Sequence, residues 1–154
     1  HSDLRDVYDG TPLSHACVTR RIHEKNIPVY LFGIRSQSAA EWDYIRDQRL
    51  PVWYARDIQP PWNADILLQQ LPERLYVTID CDFFDPALMG AVGTPEPGGW
   101  GWYETLDLLR RLFAEKEIIG VDLVELAPAP GWRHPQFIAA KLLYKMVGFY
   151  YQYH

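Results

Sequence analysis

Residues 76–86, with the sequence YVTIDCDFFDP, constrain the fold more than any other stretch of the chain. The apolar run over residues 75–79 is rich in β-branched and aromatic side chains, which predicts a buried strand. Because side chains alternate along a strand, Asp80 and Asp82 should point to one face and Cys81 to the other. Open α/β sheets bind ligands at the C-terminal edge of their strands. We therefore expect a functional site where this strand ends.

Asp80 and Asp82 place two like charges at the end of an apolar strand. Desolvation and mutual repulsion make this arrangement costly unless a cation lies between the two carboxylates. Carboxylate oxygens are hard ligands that suit Mg²⁺, Ca²⁺ or Mn²⁺. The alternative interpretation is that the two acids only mark the start of a solvated loop, since Pro86 ends the strand.

The composition is that of an ordinary globular protein and excludes several classes of function. The 154 residues fit one domain, with 48% apolar and 23% charged residues. A net charge of −5 argues against nucleic acid or an anionic membrane as the main partner. No apolar run approaches the roughly 20 residues that span a bilayer, and no basic-then-apolar segment predicts secretion. The two cysteines form neither a disulfide framework nor a zinc pattern, so we expect a cytoplasmic protein.

Strand patterns alternate with helix patterns along the whole chain. The strands are predicted at residues 28–33, 51–54, 75–79 and 117–125. The helices are predicted at residues 15–25, 39–49, 64–70, 102–115 and 135–150. This alternation predicts an α/β fold with three layers, a mostly parallel sheet with helices on both faces, in a single domain.

Candidate polar side chains gather at the predicted strand ends and at the start of the chain. They are His1, Asp3, Asp80, Asp82 and Glu125. Because the C-terminal ends of parallel strands share one edge of the sheet, groups that are distant in sequence converge there. An imidazole and several carboxylates suit two divalent ions, between which a water is activated as hydroxide near neutral pH.

The order of these motifs resembles that of the ureohydrolases, the arginase and agmatinase family. Residues 77–86 resemble the S-x-D-x-D-x-x-D-P signature, with Thr78 where the family usually has Ser. Residues 1–3 resemble the end of the D-A-H-x-D motif. Residues 93–99 are similar to the family's Gly-rich loop, and residues 121–125 look like the late strand that carries a substrate-binding Glu. The resemblance runs from the first residue to the last helix.

The resemblance implies an arginase-like fold and a binuclear manganese site. It implies that His1, Asp3, Asp80 and Asp82 bind Mn²⁺, with two further ligands upstream of the chain. The sequence therefore resembles the C-terminal portion of a protein about twice its length, incomplete at its N-terminus. By the same resemblance we expect a homo-oligomer, either a trimer or a hexamer.

The resemblance also implies roles in the hydrolysis of a guanidino compound, most simply agmatine to putrescine and urea. His15 would hand a proton to the departing amine, and Asp82 would orient the metal-bridging hydroxide. Glu125 would hold the planar guanidinium with two oxygens, and Thr94 would contact the substrate. Residues 4–8, LRDVY, do not match the arginase residues that hold an α-carboxylate, which favours a substrate without one.

Several alternatives remain open from the sequence. The chain could be a catalytically inert ureohydrolase-like fragment or subunit, or belong to an arginase or guanidinobutyrase type. A phosphotransferase of the haloacid dehalogenase type also has D-x-D after an apolar strand, but Phe83 and Phe84 do not fit its motif. Outside the family resemblance, His15 near a helix start is an ordinary surface residue. Asp85 and Asp122 are expected to support the ligands without binding metal.

Overall fold

Parallel strands and helices alternate in the computed structural model, which describes residues 1–59 and 61–154. The strands are β1 Leu31–Ile34, β2 Val52–Tyr54, β3 Arg74–Asp80 and β4 Glu117–Val124. The α-helices are α1 Val18–His23, α2 Ala39–Gln48, α3 Asp65–Gln70, α4 Trp102–Glu115 and α5 His134–Tyr153. The chain forms two compact units, His1–Ile58 and Gln59–His154.

The first unit contains one pair of parallel strands and a small apolar core. β1 pairs with β2, with Leu31 opposite Val52. Buried side chains of the first residues, of β1 and of α2 form the core: Leu4, Leu31, Ile34 and Ile45. The N-terminal segment therefore packs against the sheet and helix of its own unit, which holds the residues around Asp3 in place.

The second unit contains the other parallel pair and the two longest helices. β3 pairs with β4 along its whole length, with a bulge between Leu75 and Tyr76. α4 buries an apolar stripe that includes Leu109 and Phe113. The Phe113 ring contacts the Phe149 ring of α5 at 6.1 Å between centroids. This packing of α4, α5 and the strands supports the ends of β3 and β4.

The predicted α/β fold with parallel strands is confirmed. The bounds of most predicted elements agree with the structure within a few residues. The predicted helix at residues 15–25 is shorter, because His15–Cys17 form a 3₁₀ turn before α1. The single-domain organisation stays a prediction. Within the described residues, no helix has both the length and the apolar composition that a bilayer span requires.

The strand that ends in the paired acids differs from the prediction in two ways. Tyr76 is 59% exposed and Thr78 is exposed, so one face of β3 is uncovered in this chain. β3 also ends at Asp80, and Asp82 lies in the 3₁₀ turn Cys81–Phe83. The alternation of side chains along a strand therefore does not determine where Asp82 points.

Candidate functional site

The turn after β3 positions the two acids of the D-x-D motif. The Asp80 Oδ1 accepts a hydrogen bond from the Asp82 N–H at 2.8 Å, which bends the chain out of the strand. The 3₁₀ turn Cys81–Phe83 follows immediately. Asp82 is only 5% exposed. A carboxylate that is buried to this degree requires hydrogen bonds or a cation to offset its desolvation.

The thiol of Cys81, between the two acids of the D-x-D motif, is buried. Burial is the main cause that raises the pKa of Cys81 to about 12, and the charges of Asp80, Asp82 and Glu125 act in the same direction. The thiol is fully buried and stays protonated at neutral pH. Glu125 is thus one of the charges that act on this sulfur, and the convergence of its carboxylate with those of Asp80 and Asp82 on one ligand stays a prediction.

Parallel pairing accounts for the position of Glu125. Asp80 is the register partner of Val124, the last residue of β4, so Glu125 leaves the sheet beside the turn after β3. Glu125 has a φ of 62°, in the left-handed region that residues other than glycine rarely adopt. Strained backbone of this kind concentrates at functional sites. The exposed side chain of Glu125 is accessible to a cationic ligand.

Asp122 ties β4 to β3 on the uncovered face of the strands. Its Oδ2 accepts a hydrogen bond from the Tyr76 hydroxyl at 2.9 Å, and its Oδ1 accepts one from the Thr78 hydroxyl at 2.5 Å. The hydrogen bond to Asp122 is the main cause that raises the pKa of Tyr76. Thr78, which replaces the family's usual Ser, keeps the hydroxyl that this contact requires. Asp122 thus supports the strand that presents Asp80.

The Gly-rich loop at residues 93–99 is fastened to the same turn. The backbone of Trp100 pairs with Phe83 and Asp85, and the Asp85 Oδ2 accepts a hydrogen bond from the Gly98 N–H at 3.0 Å. A Cβ atom at Gly99 would lie 2.4 Å from the backbone carbon of Phe84, so only glycine fits there. Thr94, the predicted substrate contact, is exposed on this loop.

In the first unit, the segment that carries His1 and Asp3 is held by a glutamate that sequence reasoning missed. Glu41 Oε1 accepts hydrogen bonds from the Ser2 hydroxyl at 2.8 Å and from the Leu4 N–H at 3.0 Å. Glu41 is 4% exposed, and Ser2 and Leu4 are fully buried. Asp3, which lies between these two anchors, has a φ of 52°.

Glu41 has a second role at the start of its own helix. Its Oε2 accepts a hydrogen bond from the Ser38 N–H at 2.6 Å, while the Ser38 hydroxyl accepts one from the Glu41 N–H. Burial acts to raise the pKa of Glu41, but hydrogen bonds from Ser38, Ser2 and Leu4 outweigh it and lower the pKa. The S-x-x-E pattern at residues 38–41 is a capping-box signal, and it was the available clue to this residue.

His15 is exposed in the 3₁₀ turn that precedes α1. Its Nδ1 lies 3.5 Å from the Ser14 hydroxyl, and its ring meets the Tyr8 ring edge-on at 5.4 Å. The Ser14 hydroxyl also caps the turn by accepting from the Ala16 N–H at 3.4 Å. This environment leaves the imidazole open to solvent, which its predicted role in proton transfer requires.

The predicted metal ligands are divided between the two units. His1 and Asp3 lie in the first unit and Asp80 and Asp82 in the second, so a common site for all four stays a prediction. Across residues 1–59 and 61–154, no group of three or more His, Cys, Asp or Glu side chains is arranged to hold a metal ion. Within the second unit, Asp80 and Asp82 offer carboxylate oxygens, the donor type that hard divalent cations prefer.

A groove of about 520 Å³ in the second unit contains none of the predicted site residues. It is lined by apolar side chains and two lysines, among them Leu88, Tyr103, Leu106, Phe137 and Lys141. No carboxylate lines it. The groove therefore lacks the groups that would bind a cationic guanidinium, and the turn after β3 is the better candidate site.

Comparison with known proteins places these features in a family. The sequence profile of the Arginase family matches residues 1–148. The chain is 44% identical over 152 residues to N(1)-aminopropylagmatine ureohydrolase from Synechocystis sp., covering 97% of this chain and 50% of that protein. It is 40% identical to agmatinase from Pyrococcus horikoshii, covering 96% of this chain and 52% of the relative. The chain thus spans about half the length of the curated relatives it matches.

Solved structures show the same relationship. Agmatine ureohydrolase of Thermoplasma volcanium matches 99% of this chain with a TM-score of 0.86 and 32% identity, over 53% of its own length. Proclavaminate amidino hydrolase from Streptomyces clavuligerus matches the whole chain with a TM-score of 0.86 and 27% identity. Both similarities extend over the strands that carry the candidate residues.

Proposed function

Because this chain belongs to the arginase family, we propose that the complete protein hydrolyses the guanidino group of a linear amine and releases urea. The observation that carries the proposal is the parallel pairing of β3 with β4, in which Asp80 lies opposite Val124, the residue before Glu125, and the turn with Asp82 follows Asp80 directly. In the reaction, the oxygen of water bonds to the guanidinium carbon and the bond from that carbon to the alkyl nitrogen breaks. The products are urea and a protonated alkylamine.

Agmatine is the proposed substrate, with its aminopropyl derivative as the first compound to compare. Relatives that are 40% and 44% identical to the chain bear the names agmatinase and N(1)-aminopropylagmatine ureohydrolase. Residues 4–8 lack the arginase pattern that holds an amino-acid carboxylate. Both points support a substrate with a terminal amine and no α-carboxylate.

Manganese is the proposed cofactor, two ions in the complete protein. His1, Asp3, Asp80 and Asp82 would hold them together with ligands from outside this chain. When bound, divalent ions lower the pKa of water and so supply hydroxide near neutral pH. The chemistry of the donors supports a hard divalent cation here, because Asp80 and Asp82 offer carboxylate oxygens at the end of β3.

Each remaining role belongs to a side chain with suitable chemistry. Glu125 offers two oxygens to the planar guanidinium, a geometry in which both N–H groups donate in parallel. Asp82 orients the attacking water by accepting a hydrogen bond from it. His15 delivers a proton to the alkyl nitrogen as the bond from carbon breaks, so the leaving group departs as the neutral amine rather than as an amide anion. The amine then takes up the proton that the water gave up and becomes the alkylammonium product. Thr94, on the loop fastened by Asp85, contacts the substrate.

We further propose that the complete protein is a cytoplasmic homo-oligomer, a trimer or a hexamer, with a small guanidino compound as its ligand. Nucleic acid and membrane are not proposed as partners, since the chain carries a net charge of −5. Light scattering coupled to size-exclusion chromatography measures the oligomeric state directly. A monomer at micromolar concentration would contradict this part of the proposal.

The test of the activity is urea release by the complete protein at fixed manganese concentration. Agmatine, N(1)-aminopropylagmatine, guanidinobutyrate and arginine are compared as substrates. We expect Asp82→Ala to abolish turnover, Glu125→Ala mainly to raise KM, and His15→Ala mainly to lower kcat. Asp107→Ala, which removes an exposed carboxylate from α4, is the matched control and should retain full activity.

The outcomes separate the alternatives. Full urea release by Asp82→Ala would contradict the mechanism, and a preference for arginine would support the arginase type. A complete protein that releases no urea from any of the four compounds would favour the inert subunit. Residues 1–154 alone should release almost no urea. Mutation of groups that orient metal ligands lowers metal affinity or activity by roughly 10–100-fold, and loss of the ligands themselves should lower them further.

A further inference from the structure

We propose that Glu41 is a positioning residue that fixes the backbone of residues 1–4 so that His1 and Asp3 are presented as ligands. The inference rests on the proposed function, because it concerns the manganese site of that function. Glu41 is not itself a predicted ligand, and it lies 38 positions after Asp3 in the sequence. Its contribution is made through hydrogen bonds to the residues on either side of Asp3.

The geometry is that of a clamp centred on one oxygen atom. Glu41 Oε1 accepts from the Ser2 hydroxyl at 2.8 Å and from the Leu4 N–H at 3.0 Å. These donors belong to the residues immediately before and after Asp3. The second oxygen, Oε2, is engaged by the Ser38 N–H at 2.6 Å. The carboxylate is therefore fixed at both ends, to α2 on one side and to residues 2–4 on the other.

The clamp holds a backbone conformation that residues with a side chain adopt at a cost. Asp3 has a φ of 52°, which costs a residue with a side chain about 1 kcal/mol or more. The Asp3 carbonyl accepts a hydrogen bond from the Arg20 N–H at 3.3 Å, and the Arg5 N–H donates to the Ala16 carbonyl at 3.0 Å. Glu41 and these two backbone hydrogen bonds together hold Asp3 in its conformation.

A carboxylate is required at this position because every group directed at it is a donor. An amide in place of the carboxylate would turn its NH₂ group toward either the Leu4 N–H or the Ser38 N–H. Neither of these can accept a hydrogen bond. Since Glu41, Ser2 and Leu4 are all buried, water cannot replace the lost contact without displacement of the segment.

The experiment measures manganese binding to the metal-free complete protein, with free Mn²⁺ followed by electron paramagnetic resonance. We expect Glu41→Gln to weaken Mn²⁺ binding by about 10–100-fold, the range found when groups that orient ligands are removed. Ser2→Ala removes one of the two contacts to Oε1 and should weaken binding about fivefold. Ser38→Ala is the matched control, because it removes a helix-cap contact of the same residue and leaves both contacts to Oε1 in place.

The control distinguishes positioning from general destabilisation. Ser38→Ala should lower the thermal midpoint while it leaves the affinity for Mn²⁺ unchanged. A folded Glu41→Gln protein with wild-type affinity would overturn the inference, as would an equal loss of affinity in Ser38→Ala. If Glu41→Gln does not fold, Ser2→Ala decides, and unchanged affinity overturns the inference. A wild-type protein that binds no Mn²⁺ would instead overturn the proposed cofactor, a result that is recognised before any variant is compared.

Discussion

Asp85 joins two segments downstream of the D-x-D motif, because its Oδ2 accepts a hydrogen bond from the Gly98 N–H at 3.0 Å. Its Oδ1 accepts a second hydrogen bond from the Ala87 N–H, also at 3.0 Å. One carboxylate thus fastens the Gly-rich loop to the turn after β3. The loop that carries Thr94 owes its position to this side chain.

Replacement of Asp85 by Asn should loosen the loop. An amide can accept at only one of the two positions, so one backbone N–H loses its partner. We expect the free energy of unfolding of the complete protein to fall by about 1–2 kcal/mol, measured by urea denaturation. Asp107→Asn, which affects an exposed pair with Arg110 on α4, is the control and should cause no measurable loss. Equal stability of Asp85→Asn and wild type would contradict the role of Asp85.

Gly99→Ala should destabilise the protein by about 2 kcal/mol or more. The added methyl group would lie 2.4 Å from the Phe84 carbonyl carbon and 2.5 Å from the Asp85 nitrogen, and backbone atoms cannot move aside as a flexible side chain can. Gly93→Ala is the matched control in the same loop, since nothing lies within 4 Å of its added Cβ. The control should remain within about 0.5 kcal/mol of wild type. Similar unfolding free energies for the two variants would contradict the prediction and show that the backbone of the turn shifts to accommodate the methyl group.

The contribution of Glu41 to stability should depend on pH. Its pKa in the folded protein is below the ordinary value of 4.5. The folded state therefore binds fewer protons than the unfolded state, and the stabilisation is complete above the unfolded pKa and is lost as the pH falls through the folded pKa. We expect the difference in unfolding free energy between wild type and Glu41→Gln to shrink as the pH falls from about 6 toward 3. A difference that stays constant over this range would contradict the prediction.

Cys81 should resist thiol reagents in the folded protein. The thiol is fully buried and its pKa is raised to about 12, so the reactive thiolate is scarce at pH 8. We expect mass spectrometry to find Cys81 unmodified after native treatment with iodoacetamide and fully modified after treatment in guanidinium chloride. Native modification at the rate of the unfolded chain would show that the turn after β3 opens readily.

Local sequence signals were sufficient for most of the fold. Apolar periodicity located α4 and β4, and the D-x-D motif located the end of β3. These features depend on side chains that are near each other in sequence, where propensity and patterning act directly. The predicted strand end also singled out Glu125, to which the family resemblance added a substrate-binding role, and the parallel pairing of β3 with β4 accounts for its position after Val124.

Contacts between distant residues were not accessible in the same way. The S-x-x-E pattern predicts that Glu41 caps α2, but nothing local shows that its other oxygen holds Ser2. The alternation of side chains was wrongly extended to Asp82, because a short-range hydrogen bond from the Asp82 N–H to Asp80 turns the chain out of the strand before that residue. The left-handed conformation of Asp3 is likewise accompanied by contacts with distant residues, Glu41 and Arg20, that no local pattern indicates.

Asp3 and Glu125 have a left-handed backbone conformation. At these two positions, the substitution that favours stability is expected to remove activity. Glycine adopts this conformation freely, so Asp3→Gly and Glu125→Gly relieve strain in the folded state. Each replacement also deletes a carboxylate that the proposed chemistry requires. A laboratory selection that rewards only thermal resistance is therefore expected to accept glycine at both positions, whereas one that rewards urea release is expected to reject it.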